Sequence, residues 1–312
     1  IINRKNARGT RAREETMKIS GIFEKKKALL SFEIFPPKPT ADAAAVNGTI
    51  AELAALRPDY ISVTCSAGGS GNARTCEIAQ TVRACGVEPL AHVTCIHAGK
   101  ESVRGTLDGL KDAGIENVLA LRGDRIAGAE ESADFAHASD LVRFIRAGWD
   151  FDIAAACYPE GHPESPDLPA DIRHLKEKVD AGATHLNTQL FFDDEDFFRF
   201  RDLLAAAGIA VPVQAGIMPL VKKSHVDRII ALSGAKIPAR LSRMISRFYD
   251  KPEALAEAGI AYATEQAIDL LSAGVRGVHL YVMNNAAVAK RIAGALAPVL
   301  AEINGGGDAG RP

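Results

Sequence analysis

The 312-residue chain has few cysteines, and the five present (65, 76, 85, 95 and 157) include no C-x-x-C pair. That removes the usual signature of a redox or zinc motif. Three of the five fall in or at the end of strand-like runs, where reduced cysteine behaves as a small apolar residue. The expected compartment is the cytoplasm. Apolar residues make up 47% of the chain, enough for a sizeable core, yet no run approaches the roughly 18 residues that cross a bilayer. Neither charge dominates: 37 Lys and Arg face 39 Asp and Glu, a net charge of −2, so there is no basic footprint for nucleic acid. The first 18 residues carry Arg4, Lys5, Arg8, Arg11, Arg13 and Lys18 but no apolar stretch, and do not read as a secretory signal. The loop S-A-G-G-S-G (66–71) fits neither G-x-G-x-x-G nor a P-loop, and no G-x-S-x-G elbow occurs. Covalent acyl chemistry is therefore not expected. There is no Pro/Ser-rich linker, coiled coil or short repeat.

What recurs is a unit. Eight short apolar runs read L-S-F-E-I-F (30–35), Y-I-S-V-T (60–64), P-L-A-H-V-T (89–94), N-V-L-A-L-R (117–122), D-I-A-A-A-C (152–157), T-H-L-N-T-Q-L (184–190), V-P-V-Q-A-G-I (211–217) and V-H-L-Y-V-M (278–283). Stretches with helical apolar spacing separate them, near 41–56, 74–85, 101–113, 135–147, 170–181 and 193–204, followed by a long seventh connection (218–275) with room for two or three helices. Strand–helix alternation at this count over about 250 residues predicts an α/β chain folded as one (β/α)8 TIM barrel. The expected organisation is an N-terminal arm (1–20), the barrel (21–303) and a frayed tail (304–312). Chemistry in this fold sits at the C-terminal strand ends, which here offer Glu33, Thr64, His92, Asp124, Tyr158, Gln189 and Tyr281.

Period-2 alternation puts Glu33 and Phe35 on one face of the first strand and Phe32 and Ile34 on the other. If the first face lines the barrel, desolvation would raise the Glu33 pKa, as a general acid needs; a salt-bridged strand carboxylate is the other reading. In L-R-G-D (121–124) a glycine between opposite charges lets backbone approach a flat ligand, or simply makes a turn with a local ion pair. In H-V-T-C-I-H (92–97), His92, Thr94 and Ile96 share one face and Cys95 and His97 the other, so these groups do not converge on a metal and none is expected. In D-I-R-H-L-K-E-K-V (171–179), Asp171, His174 and Lys178 form one helical stripe, ordinarily a solvated surface. It gains interest because the preceding loop carries Tyr158 and His162.

Taken together, S-F-E-I-F-P-P-K, V-T-C-S-A-G-G-S, A-H-V-T-C-I, A-L-R-G-D, Y-P-E-G-H-P-E, L-K-E-K-V-D-A-G-A, T-Q-L-F-F-D, G-I-M-P and H-L-Y-V-M-N, colinear over about 29–294, resemble the methylenetetrahydrofolate reductase family in its bacterial single-domain form. The resemblance implies an FAD enzyme that oxidises NADH or NADPH and reduces 5,10-methylenetetrahydrofolate to 5-methyltetrahydrofolate by a ping-pong route. It assigns Glu33 as the acid that helps open the folate ring to an iminium, which takes hydride from the flavin. Asp124 is placed beside the flavin, and Gln189 serves folate and nicotinamide in turn. Cofactor contacts implied are Thr64, Ala67, His92, Arg122, Gly123, Asp124, Ala138, Tyr158, His162, Asp171, His174 and Lys178. Substrate contacts implied are Glu33, Gln189, His225, Tyr281 and Asn285. A homo-oligomer is expected, as is the absence of the regulatory domain of eukaryotic members and of S-adenosylmethionine feedback. The chain departs from the family pattern at Cys65, His174, Glu177, His225, Ile229 and Asn285. Two alternatives are a barrel that binds folate or flavin without turnover, and a flavin-free hydride transferase.

Overall fold

The computed structural model describes residues 17–36, 43–65, 72–232 and 235–305. Eight parallel strands close in chain order: β1 (Leu29–Ile34), β2 (Tyr60–Val63), β3 (Glu88–Thr94), β4 (Asn117–Leu121), β5 (Asp152–Cys157), β6 (His185–Thr188), β7 (Val213–Ile217) and β8 (Gly277–Tyr281). β8 pairs back onto β1, with Glu33 opposite Tyr281. This is a (β/α)8 barrel in one domain. The strands are buried on both faces, which is why they read as near-continuous apolar runs. Their outward residues, Phe32, Ile34, Ile61 and Val63 among them, pack under the surrounding helices as the main core.

Those helices are α2 (Ala43–Ala54), α3 (Asn72–Ala84), α4 (Lys100–Asp112), α5 (Ala138–Gly148), α6 (Leu168–Asp180) and α7 (Asp194–Ala206). The start of α5 lies three residues past the expected 135 because the Asp140 carboxylate accepts the backbone N–H groups of Ala136 and His137 and fixes the first turn there. The seventh connection holds three helices, α8 (Lys223–Leu232), α9 (Ala239–Phe248) and α10 (Pro252–Ser272), before α11 (Ala286–Gly305) completes the ring. α8 and α9 turn Val226, Ile229, Leu241 and Ile245 onto Phe192, Met218 and Leu220, a satellite core that also contacts Tyr281.

At the opposite mouth a short helix, α1 (Ile19–Lys25), seals the barrel with Ile19, Ile22 and Phe23 against Leu29, Tyr60, Leu90, Leu119 and Ala154. Three strands cap its open N-terminus: Glu88 accepts from Met17 N at 2.8 Å, Asn117 from Ile19 N at 2.8 Å and Asp152 from Ser20 N at 2.7 Å. These are the orphan donors that every helix start must satisfy. The expected boundary at residue 20 therefore cuts through this helix. Asn304, expected in the tail, bonds Lys27 N, Ala28 N and Ala28 O at 2.9, 3.1 and 2.9 Å and ties the end of α11 to the start of β1.

Asn117 is fully buried and serves both Ile19 N and Met17 O. Asn117→Ala strands both groups, and the expected loss is about 1–3 kcal/mol of stability. It should be read as a lower midpoint in urea, with the opposite end of the barrel unaffected.

Candidate active site

A cleft of about 620 Å³ opens at the C-terminal ends of the strands. Lining it are Glu33, Thr64, His92, Arg122, Gly123, Asp124, Ala138, Tyr158, His162, Asp171, His174, Lys178, Gln189 and Tyr281. Ala67 lies outside the described residues. His225 and Asn285 do not line the cleft: His225 sits half-buried on α8, and Asn285 accepts from Val288 N to cap α11. Among the described residues no three His, Cys, Asp or Glu side chains converge as metal ligands. Cys95 packs in the helix-facing core while His92 faces the cleft.

The floor is polar. Alternation along β1 delivers Glu33 inward, 8% exposed, with Oε2 3.6 Å from His92 Nε2 and 3.7 Å from His279 Nε2. His92 Nε2 also meets Ser62 Oγ at 2.6 Å, and burial holds its pKa down at about 4. Beside Glu33, Tyr281 donates its hydroxyl to Thr188 O at 2.6 Å. Its ring lies so close over β7 that a Cβ on Gly216 would stand 2.8 Å from the ring and 2.3 Å from Thr188 O, so only glycine fits. Burial raises the Tyr281 pKa well above its ordinary value.

The walls are built by β4, β5 and α6. Gly123 has φ +92°, and a Cβ there would press Ile96 and Thr94 at 3.2 Å. The backbone is thus bare where the chain leaves β4. Arg122 forms a two-pronged pair with Glu164, both contacts 2.7 Å, and Arg125 joins the same carboxylate at 2.8 Å. Bonding to Arg122 is the main reason the Glu164 carboxyl is held down at about 2. Asp171 accepts from Ser165 Oγ at 3.0 Å and His162 N at 3.2 Å, so the helical stripe buttresses the loop that carries His162. Tyr158 and His162 meet edge to face at 4.7 Å. Lys178 donates to Ala156 O at 2.9 Å, and burial lowers its pKa. Gln189 continues the pairing of β6 with β5 through its N–H to Cys157 O at 2.7 Å, leaving its amide at the rim.

A carboxyl group on the barrel floor thus lies under a wall that carries Arg122, Gly123 and Lys178, and a sequence model of the methylenetetrahydrofolate reductase family matches residues 18–297. The chain belongs to that family. It is 35% identical over 258 residues to the 5,10-methylenetetrahydrofolate reductase of Escherichia coli (strain K12), covering 82% of this chain and 86% of that one. It is also 35% identical over 284 residues to methylenetetrahydrofolate reductase (NADH) 1 of Arabidopsis thaliana, covering 86% of this chain but 48% of the plant protein. Among solved structures, a Clostridium thermocellum protein described as binding two copies of 5-methyl-5,6,7,8-tetrahydrofolic acid aligns with a TM-score of 0.63 at 12% identity, over 91% of this chain and 99% of that one. That likeness shows the fold. As a family member the chain is an oxidoreductase of folate metabolism.

The residues present suit a flavin dinucleotide. Arg122 and Lys178 bring positive charge to one cleft, and Gly123 offers backbone that no side chain obstructs. Of the departures from the family pattern, Cys65, His174 and Glu177 line the cleft. Ile229 instead belongs to the satellite core, where an aliphatic side chain is what the packing takes. The sequence reading passed over Ser31, Asn187, Thr188 and His279. The alternation that turns Glu33 inward also turns Ser31 inward two residues earlier, and on β8 His279 stands in the same relation to Tyr281.

His92 and, at the sealed end, His185 both titrate near 4, chiefly because burial disfavours their charge. Unfolded, each returns to about 6.5. Between those values the unfolded chain binds protons that the folded one refuses, so stability is level above pH 6.5 and falls as pH drops toward 4. The expected slope is up to about 1.4 kcal/mol per pH unit for each histidine. His92→Gln should remove roughly half of it in urea titrations between pH 4.5 and 7.

Proposed function

We propose that this protein reduces 5,10-methylenetetrahydrofolate to 5-methyltetrahydrofolate with NADH or NADPH as donor, in two alternating half-reactions that share one FAD. The observation that carries the reading is Glu33, a carboxyl buried on the cleft floor between two imidazoles, facing the space where a ligand nitrogen would come. FAD, when bound, supplies the hydride-carrying redox chemistry. Arg122 and Lys178 would meet the charge of its diphosphate, and Tyr158, His162, Asp171 and His174 would enclose its length. Thr64, His92, Gly123 and Ala138 would give the close, uncharged contacts.

Glu33 gives its proton to the folate nitrogen that leaves the methylene carbon as the five-membered ring opens, so that the iminium forms without a free amide-like anion. Asp124, exposed at the rim, keeps a negative charge near that cationic carbon. The Gln189 amide both donates and accepts, so it can serve the pterin and the nicotinamide carboxamide in succession. Tyr281 forms the wall beside the acid. His225 and Asn285, which lie off the cleft, take no part in substrate binding in this reading. All five cysteines are thiols rather than disulfides, as a chain kept in a reducing cytoplasm would hold them.

Purified protein should be yellow and should release FAD on denaturation. A colourless preparation that is active and takes up no FAD would favour the flavin-free route. Glu33→Gln should leave flavin reduction by NAD(P)H within a few-fold while folate reduction falls by roughly 10²–10⁴. Stopped-flow traces of the two half-reactions decide it, and equal slowing of both removes the acid role. Gln189→Ala should slow both half-reactions, because both ligands lose the same amide.

A further inference from the structure

Ser31 and His279 belong to a chain of polar side chains that crosses the barrel interior beneath the cleft. Asn187 Nδ2 donates to Tyr60 Oη at 2.9 Å, and Tyr60 donates to Gln214 Oε1 at 2.6 Å. Gln214 Nε2 donates to Ser31 Oγ at 3.2 Å and to Val278 O at 3.3 Å. With its oxygen receiving the amide, Ser31 has its own proton for His279 Nδ1, 2.7 Å away. The imidazole hydrogen is then left on Nε2, the atom 3.7 Å from Glu33 Oε2. The amide directions are fixed, because an amide N–H can only donate; Tyr60 Oη also lies 3.1 Å from Asn187 Oδ1, and the direction from Ser31 to His279 is part of the proposal below. The ring plane is fixed as well: Tyr60 stacks on His279 at 5.9 Å and Tyr281 meets it edge-on at 5.2 Å.

We propose that His279 positions the Glu33 carboxyl for proton transfer, and that Ser31 holds His279 in the tautomer that does so. The proposal rests on the reading of Glu33 as the acid of folate reduction. At 3.7 Å the pair is in electrostatic contact, just beyond hydrogen-bond distance. The other groups facing this pair are His92, His185, Tyr60 and Tyr281. None replaces His279: His92 Nε2 has Ser62 Oγ as its nearer partner at 2.6 Å. His185 lies at the far end of the barrel against Phe23, and Tyr60 and Tyr281 spend their hydroxyl protons on Gln214 and Thr188.

An N–H aimed at a carboxylate favours its ionised form, so removing the donor raises the pH at which the acid is lost. The test is the pH profile of folate reduction by the reduced holoenzyme, from pH 5.5 to 9, in wild type, His279→Leu, His279→Gln and Ser31→Ala. In His279→Leu the alkaline limb should move up by about one pH unit, with the rate on the plateau down about tenfold. Flavin reduction by NAD(P)H should stay within a few-fold. His279→Gln, which keeps an N–H near the position of Nε2, should restore the wild-type limb, and Ser31→Ala should move it in the same direction as His279→Leu. Independently of turnover, ¹⁵N-histidine spectra should show His279 as the Nε2–H tautomer, with that tautomer lost in Ser31→Ala. An unmoved limb in both His279→Leu and Ser31→Ala, or an Nδ1–H tautomer in wild type, overturns the proposal. If wild type carries out neither half-reaction, the functional reading fails first, and the tautomer still reports on the relay.

Discussion

A carboxyl group buried among imidazoles, with no lysine or arginine paired to it among the described residues, is the constraint around which this barrel is arranged. Glu33 faces His92 and His279 at 3.6 and 3.7 Å. A buried charge without a cation is costly, so the surroundings must offer oriented donors without neutralising the acid. The barrel interior does this. Most barrels of this type fill their centre with branched aliphatic side chains. Here the central layers carry Ser31, Tyr60, Ser62, Asn187, Gln214 and His279, all buried. The cost of their burial is offset because each bonds a neighbour, several of them across non-adjacent strands. A network of this kind ties β1, β2, β6, β7 and β8 together across the interior, beneath the Glu33 carboxyl.

The two ends of the barrel divide the work. At the sealed end, side chains from β3, β4 and β5 complete the start of α1, and apolar residues exclude water beneath Tyr60. That plug keeps the interior dry, without which the polar relay would exchange its partners for solvent. At the open end the same strands present His92, Arg122 and Tyr158 to the cleft. The sealed end therefore supports the chemistry at the open one through the dryness of the column between them, with no direct contact.

Local pattern was enough for the strands, because burial on both faces leaves an apolar run with few alternatives. It was also enough for the inward face of β1, since period-2 alternation assigns Glu33 once Phe32 and Ile34 are in the core. The Asp171–Lys178 stripe was legible as a surface, and its use became clear only when Asp171 was seen to bond the loop of His162. Other features join residues far apart in the chain and leave no local trace. The α1 plug bonds residues 71 to 132 positions away, Asn304 closes on β1 from 276 positions away, and Ser31 meets His279 across 248. Asn285 shows the converse: its place in the motif pointed to substrate, while its side chain is committed to capping α11.

Floor and rim also differ in what fixes them, and this bears on where the chain departs from its family. The floor residues sit on strands, each locked by partners on other strands, so a change at one propagates through the relay. The rim is held by contacts on loops: Glu164 shared by Arg122 and Arg125, and His97 with its ring nitrogens 2.9 and 3.2 Å from the carbonyls of Glu130 and Asp124. Exposed pairs of this kind contribute little individually and can be rearranged at small cost. Cys65, His174 and Glu177, the departures that line the cleft, stand on its rim and wall, while Glu33 lies on the floor. Rim contacts can therefore rearrange at small cost while the strand residues of the floor keep their buried hydrogen bonds.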